Sequence, residues 1–321
     1  MERQRIAVRP NPSKYSILML KLTSVPFSAM GTECCLHLYS SSLSSAKAIA
    51  FSAIQEVLRI EAYYSRYRTD SFLSQINLAA QHGNAIEVDD ETAGLLDYAY
   101  ACHKKSDGLF DITAGILRKA WNFSVLHLPE QAEIDRLLPL IGLDKVQWQS
   151  PRLSFPVPSM ELDFGGIGKE YAADRAAAVC VSLGVEHGLV DLGGDMTVIG
   201  PHPTQEPWQI GICHPRNPDI AMATIEIERG ALATSGDYER FIEIEGKRYC
   251  HLLNPKSGWP VRGLSSVSVL ADHCLVAGSI ASIAMLKGPA GIDWLNELAA
   301  RHLWMDDQGR QGGCLPSALS P

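Results

Sequence analysis

Asp163, Gly165, Gly166, Gly168 and Lys169 fall in one short run, Leu162-Asp163-Phe164-Gly165-Gly166-Ile167-Gly168-Lys169-Glu170-Tyr171-Ala172-Ala173-Asp174. Glycines let a backbone come close to a ligand, the first N–H groups of a following helix are unpaired donors, and a lysine adds a mobile positive charge. Together they suit a phosphate. The run lacks the GxxxxGK(S/T) spacing and does not read GxGxxG, and a plain glycine-rich strand-to-helix turn with an exposed lysine would use the same residues.

Five further blocks place polar side chains beside glycine at the ends of apolar stretches, where loops on a rigid scaffold carry sites. They are Ala29-Met30-Gly31-Thr32, Ser106-Asp107-Gly108-Leu109-Phe110-Asp111-Ile112-Thr113, Val190-Asp191-Leu192-Gly193-Gly194-Asp195, Ala233-Thr234-Ser235-Gly236-Asp237-Tyr238 and His251-Leu252-Leu253-Asn254-Pro255-Lys256-Ser257-Gly258. In this order, from about Phe27 to about Gly288, the six blocks resemble the ApbE family of FAD:protein FMN transferases. Their joint occurrence is far more specific than any one of them.

The resemblance implies an α+β, two-lobed, T-fold-like architecture with FAD between the lobes. It implies a reaction in which a threonine hydroxyl of an acceptor protein attacks the FMN phosphorus of FAD, AMP leaves, and FMN stays joined by a phosphoester bond. Met30 and Tyr67 then fall where side chains contact the flavin or its neighbouring groups. Gly108, Leu109 and Phe110 form a backbone segment holding FAD, Asp163 hydrogen-bonds the ligand, Lys169 lies near it, and Leu252 makes a backbone contact. His251, in the HxxxPxxG pattern, is the candidate base, because a neutral imidazole can accept the threonine proton near physiological pH. Taken singly these residues have plainer uses: a core methionine, a turn glycine, a solvated lysine, a structural histidine.

Phosphoryl transfer also needs a cation to neutralise developing charge, and Mg²⁺ is the expected one. In relatives an A-D-A-L-A-T-like helix start supplies an aspartate and a threonine, joined by a carbonyl of the glycine-rich loop. Here the aligned residues are Ala277-Gly278-Ser279-Ile280-Ala281-Ser282. Ser282 keeps a hydroxyl and Gly166 keeps a carbonyl, but Gly278 has no carboxylate, so Asp272, Asp195 or Asp237 is a candidate to compensate. Asn254, where an acid is common before the proline, removes another negative charge. Two other readings therefore stand beside the transferase: a protein that binds FAD without transferring it, and a pyrophosphatase that uses water to give FMN and AMP.

The elements that must position these groups are legible from periodicity. Thr32 to Tyr39 alternates as a strand, and Ser44 to Tyr64 has helical spacing at Ala46, Ile49, Ala50, Ala53, Ile54, Val57, Leu58 and Ile60. A second helix begins at Asp89 or Asp90 and ends by Gly108, a shorter one covers Glu130 to Leu140, and another runs from Lys169 to Leu183. Strands are expected at Gly188 to Leu192, Trp208 to Ile212, Ala223 to Ile227, Arg240 to Ile244 and Ser266 to Leu270. Helices follow at Leu275 to Leu286 and Ile292 to Ala300. Pro201 to Pro207 and Asn217-Pro218 mark loops.

With 321 residues, 46% of them hydrophobic, the chain can bury a large core. Residues 1–21 read as a flexible arm and 22–321 as the FAD-binding transferase domain. A net charge of −8 without a basic tract excludes a general nucleic-acid binder. No stretch is apolar for long enough to span a membrane, and Lys21 interrupts the one short run near the N-terminus. Eight scattered cysteines, without metal-type spacing, read as mostly buried, reduced thiols, and with no convincing cleavage site or lipobox cysteine the expected location is the cytoplasm. The expected partner is a threonine-bearing flavoprotein of redox or electron-transfer function.

Overall fold

The computed structural model describes residues 20–315. The chain enters through the hairpin of β1 (Lys21–Ala29) and β2 (Thr32–Ser40), followed by α1 (Leu43–Tyr63), α2 (Phe72–Gln81), β3 (Ala85–Glu87) and α3 (Asp90–Lys105). Next come α4 (Gln131–Leu137), β4 (Gln147–Gln149), β5 (Arg152–Ser154), α5 (Gly168–Ser182), β6 (Gly188–Leu192), β7 (Asp195–Gly200), β8 (Trp208–His214) and β9 (Asn217–Ile227). The remainder is β10 (Gly230–Gly236), β11 (Phe241–Ile244), β12 (Lys247–Cys250), β13 (Leu264–Ala271), α6 (Cys274–Lys287), α7 (Ala290–Glu297), β14 (Arg301–Asp306) and β15 (Gln311–Gly313).

Eight strands form one antiparallel sheet in the order β1-β2-β6-β7-β10-β13-β14-β15. Alternation along each strand divides its side chains between two apolar layers. Leu36, Leu38, Val190, Leu192, Ala231, Ala233, Val267 and Val269 face a large core shared with α1, α5 and α6. Leu189, Met196, Val198, Leu232 and Leu270 face the opposite way, against Trp208, Ile210, Ile212, Ile225 and Ile227 of the β8–β9 hairpin. A third cluster, with Ile116, Leu117, Trp121, Ile134, Ile242 and Tyr249, makes a smaller body beside the sheet.

The helices follow local signals closely. Ser42 caps α1 by accepting the Ser45 N–H, while α1 buries Ala46, Ala50, Ala53, Val57 and Ile60. Asp89 caps α3 by accepting the Thr92 N–H. The tightly packed interface of α5 and α6 is built from small residues: α5 buries Ala172, Ala173, Ala176 and Ala177, and α6 buries Ala277, Gly278, Ser279 and Ala281. Asp174 of α5 accepts the N–H groups of Cys274 and Leu275, so a side chain of one helix caps the start of the other.

Two expectations need correction. Asn217-Pro218 is not a loop but the start of β9, which pairs His214 with Asn217 at the end of a two-stranded hairpin, where a proline costs no interior ladder bond. Lys21, expected in the arm, is the first residue of β1, and the rest of that arm up to residue 19 lies outside the described residues. α3 ends at Lys105, ahead of Gly108; Asp107 and Gly108 both take positive φ in the turn that follows. All eight cysteines are free, five of them buried. No helix among the described residues is long and apolar enough to cross a membrane.

Candidate functional site

Met30 and Gly31 form the two-residue turn between β1 and β2, with φ of 55° and 72°. Positive φ at both positions matches the twist of a tight hairpin, and glycine accepts it freely, whereas methionine accepts it at a cost. The Met30 N–H is held by Glu61 Oε1 at 2.7 Å. A Cβ on Gly31 would lie 3.4 Å from the Arg240 guanidinium, so the hairpin tip reaches the segment before β11.

Arg240 in turn fixes His251. Its carbonyl accepts the His251 N–H at 3.0 Å and lies 3.3 Å from the ring Nδ1. A carbonyl can only accept, so Nδ1 carries the proton and Nε2 keeps its lone pair. Burial pushes the ring's pKa down to about 4, and Arg240, Lys169 and Arg66 add to the shift. The imidazole is therefore a neutral acceptor within electrostatic reach of three cations.

Lys169, at the start of α5, pairs with Asp195 of β7 at 2.9 Å. Burial opposes its charge, but the neighbouring carboxylates outweigh burial and raise its pKa above the ordinary value. Asp163 pairs instead with Arg66, and its Oδ1 accepts the Gly165 N–H at 2.9 Å. Gly115 leaves no room for a side chain against Asp163, since a Cβ there would lie 2.4 Å from the Asp163 Cβ. Phe110 packs its ring over Gly166, within 3.4 Å of where a Cβ would be, which binds the Gly108-Leu109-Phe110 segment to the glycine-rich loop.

Gly108 also faces the block that starts at His251. An open hollow of about 310 Å³ is lined by His103, Gly108, Asp111, Pro255 and Lys256, among others. Gly258 in that block has φ of 72°, and a Cβ there would lie 2.3 Å from Ile134, so the glycine of the HxxxPxxG pattern is required by both conformation and space. Leu252 lies next to the ring of His251 in the chain, and its carbonyl accepts the Val261 N–H. Tyr67 is 77% exposed; the Arg66 guanidinium lies over its ring and bonds its hydroxyl at 2.9 Å, and its backbone N–H donates to the Ser65 hydroxyl at 3.2 Å.

On the α6 side, the Ser282 hydroxyl meets that of Ser235 at 2.8 Å. Gly278 and Ser282 are one helical turn apart and share a face. The first helical bond of α5 runs from the Tyr171 N–H to the Ile167 carbonyl, so the Gly166 carbonyl stands just before the ladder. Among the described residues no group of three or more His, Cys, Asp or Glu side chains is gathered as a metal cluster. The oxygens available for a hard cation are hydroxyls, a carbonyl and single carboxylates.

The ApbE family profile matches residues 30–303. This chain belongs to the ApbE family. It is 32% identical over 252 residues to the FAD:protein FMN transferase of Klebsiella pneumoniae, covering 77% of this chain and 76% of that protein. It is 28% identical over 281 residues to the Haemophilus influenzae FAD:protein FMN transferase, covering 84% and 81%. Its fold superposes on the ApbE protein of Thermotoga maritima with a TM-score of 0.83 at 31% identity, covering 91% of this chain and 97% of that one. The Pseudomonas stutzeri flavinyl transferase ApbE gives 0.81 at 26% identity.

Within this ApbE chain the carboxylates expected to replace the one missing at Gly278 are committed elsewhere. Asp195 is held by Lys169 and by the Thr234 N–H, Asp237 is gripped by both arms of Arg216 at 2.6 and 2.7 Å, and Asp272 is exposed. Three residues were missed by sequence reasoning: Arg66, Arg240 and Glu170. Neither arginine carries a local signal, because each reaches the site from a loop. Glu170 did carry one: with Ala173, Ala177 and Cys180 it lies on the buried stripe of α5, where a glutamate is out of place.

Proposed function

We propose that this chain transfers FMN from FAD to a threonine of an acceptor protein, with release of AMP. The observation that carries the proposal is His251: a ring whose Nδ1 proton is tied to a backbone carbonyl, whose Nε2 has no hydrogen-bond partner among the described residues, and which feels the charges of Lys169, Arg66 and Arg240. Membership in a family whose curated relatives are FAD:protein FMN transferases supports it.

In this reading the two phosphates of FAD lie against Lys169 and the N–H groups that open α5, with Met30, Tyr67, the Gly108-Leu109-Phe110 backbone, Asp163 and Leu252 holding the rest of the molecule between the main sheet and the smaller body. The acceptor threonine oxygen attacks the FMN phosphorus. Its proton passes to His251 Nε2, the bond to the AMP phosphate oxygen breaks, and AMP departs with the electron pair. Arg66 and Arg240 stabilise the negative charge that develops on the reacting phosphate, and the Arg240 carbonyl stabilises the imidazolium as it forms. Mg²⁺, held by the Gly166 carbonyl and the Ser282 hydroxyl, would supply neutralisation of phosphate charge when bound.

Residues 22–321 act here as one transferase domain. The acceptor is read as a redox flavoprotein, and the free cysteines support a reducing compartment such as the cytoplasm. The test is intact-mass analysis of a threonine-containing acceptor after incubation with the protein, FAD and Mg²⁺. The expected result is an FMN adduct with equimolar AMP, abolished by a chelator. FMN and AMP without an adduct would make the protein a pyrophosphatase, and bound, uncleaved FAD would make it a binding protein.

A further inference from the structure

A carboxylate does occupy the position that Gly278 leaves empty. A Cβ built on Gly278 would lie 2.5 Å from Glu170 Cγ, 2.9 Å from Oε1 and 3.0 Å from Cδ. The Glu170 carboxyl group thus fills the volume that a side chain at 278 would enter, arriving from α5 instead of α6. Glu170 is only 8% exposed, and its Oε2 has no hydrogen-bond partner among the described residues. An orphaned carboxylate oxygen in a closed interior is costly unless something binds it. Ser282 lies one helical turn on from Gly278 and its hydroxyl meets that of Ser235, the Gly166 carbonyl stands one turn before Glu170 at the entry to α5, and Lys169 is committed to Asp195.

We propose that Glu170 is the carboxylate ligand of the divalent cation in this chain, in place of the aspartate that relatives carry at position 278. Oxygen donors with one full negative charge, a hydroxyl and a carbonyl fit a hard cation such as Mg²⁺, with water and substrate phosphate completing its shell. With Glu170 in its present rotamer the two positions compete for one volume: a side chain at 278 must displace the Glu170 carboxyl group. The inference rests on the cation dependence proposed above.

The experiment titrates Mn²⁺ into the full chain with FAD present, follows free Mn²⁺ by electron paramagnetic resonance, and checks displacement by Mg²⁺. Glu170→Gln keeps the shape and removes the charge. It should weaken Mn²⁺ binding by about tenfold or more while leaving the metal-free melting temperature unchanged or higher, since a buried unpaired carboxylate is gone. The double variant Glu170→Gly with Gly278→Asp should bind Mn²⁺ again. Gly278→Asp alone should lower the melting temperature, because both carboxylates claim one space. Unweakened binding by Glu170→Gln overturns the assignment of Glu170 alone. If Glu170→Gln does not fold, a folded double variant that fails to bind Mn²⁺ overturns it as well. If the unaltered protein binds no Mn²⁺, the cation dependence itself falls, and this assignment with it.

Discussion

The two faces of the main sheet use the same alternating strands for different ends. On the hairpin side, Leu189, Met196, Val198, Leu232 and Leu270 meet Trp208 and four isoleucines, a layer governed chiefly by volume, with the Trp208 Nε1–H donating to the Gly200 carbonyl at 2.9 Å. On the helix side, neighbouring positions of the same strands carry Asp195, Thr197 and Ser235, and these meet Lys169, Asp174 and Ser282 from α5 and α6. Buried polar groups tolerate few arrangements, so the helix side is positioned by hydrogen bonds and ion pairs, and the hairpin side mainly by apolar fit. The difference teaches where chemistry resides in this fold. It gathers where apolar alternation is interrupted.

Substitutions on the two sides should separate stability from activity. The largest effect is expected for His251→Ala, which removes the proton acceptor: transfer measured at saturating FAD should fall by about 10²- to 10⁴-fold, with FAD affinity retained. Equal loss of affinity would make the ring structural. On the opposite face, Trp208→Ala removes a side chain only 1% exposed and should destabilise the fold by about 3–5 kcal/mol in chemical denaturation, while turnover per folded molecule is unchanged. A change in turnover of the folded fraction would break the division between the faces.

Lys169→Ala should weaken FAD binding by about 10- to 100-fold in a fluorescence titration, and it should also lower stability, because Asp195 is left buried without its partner. Unchanged affinity would remove Lys169 from the FAD site. The smallest expected effect is pH-linked. Because His251 is neutral in the fold down to about pH 4, the unfolded chain takes up a proton first as the pH falls. Its contribution to stability is therefore complete above about pH 6.5 and is lost progressively between there and pH 4. Histidine NMR should locate the titration, and bound FAD, being anionic, should move it upward. A free-protein ring titrating near its ordinary value would contradict the buried, cation-flanked setting.

Much of this was legible from local pattern. The spacing of apolar residues marked α1, α3, α5 and α6, and the Gly188 to Leu192 strand lies where alternation put it, since those elements bury one periodic face. β1, β7, β10, β12 and β14 went unmarked, and for at least two of them the reason is physical. β1 carries Pro26, acceptable only because it is an edge strand, and β10 is a run of small and hydroxyl residues that says little without its neighbours. For the site, the glycine blocks and His251 stood out because turns with positive φ and polar loop residues have few substitutes.

Sequence alone determined the family, the order of the six blocks and the helix-forming stripes, because each depends on residues close together in the chain. The tertiary structure decided which charges meet. Lys169 chose Asp195, Asp163 chose Arg66, and Glu170 took the space beside Gly278. Those choices join residues far apart in sequence, and those of Lys169 and Glu170 follow from how α5 packs on the sheet and on α6. No local pattern records that distance, because it is set by the volumes of side chains contributed from every layer.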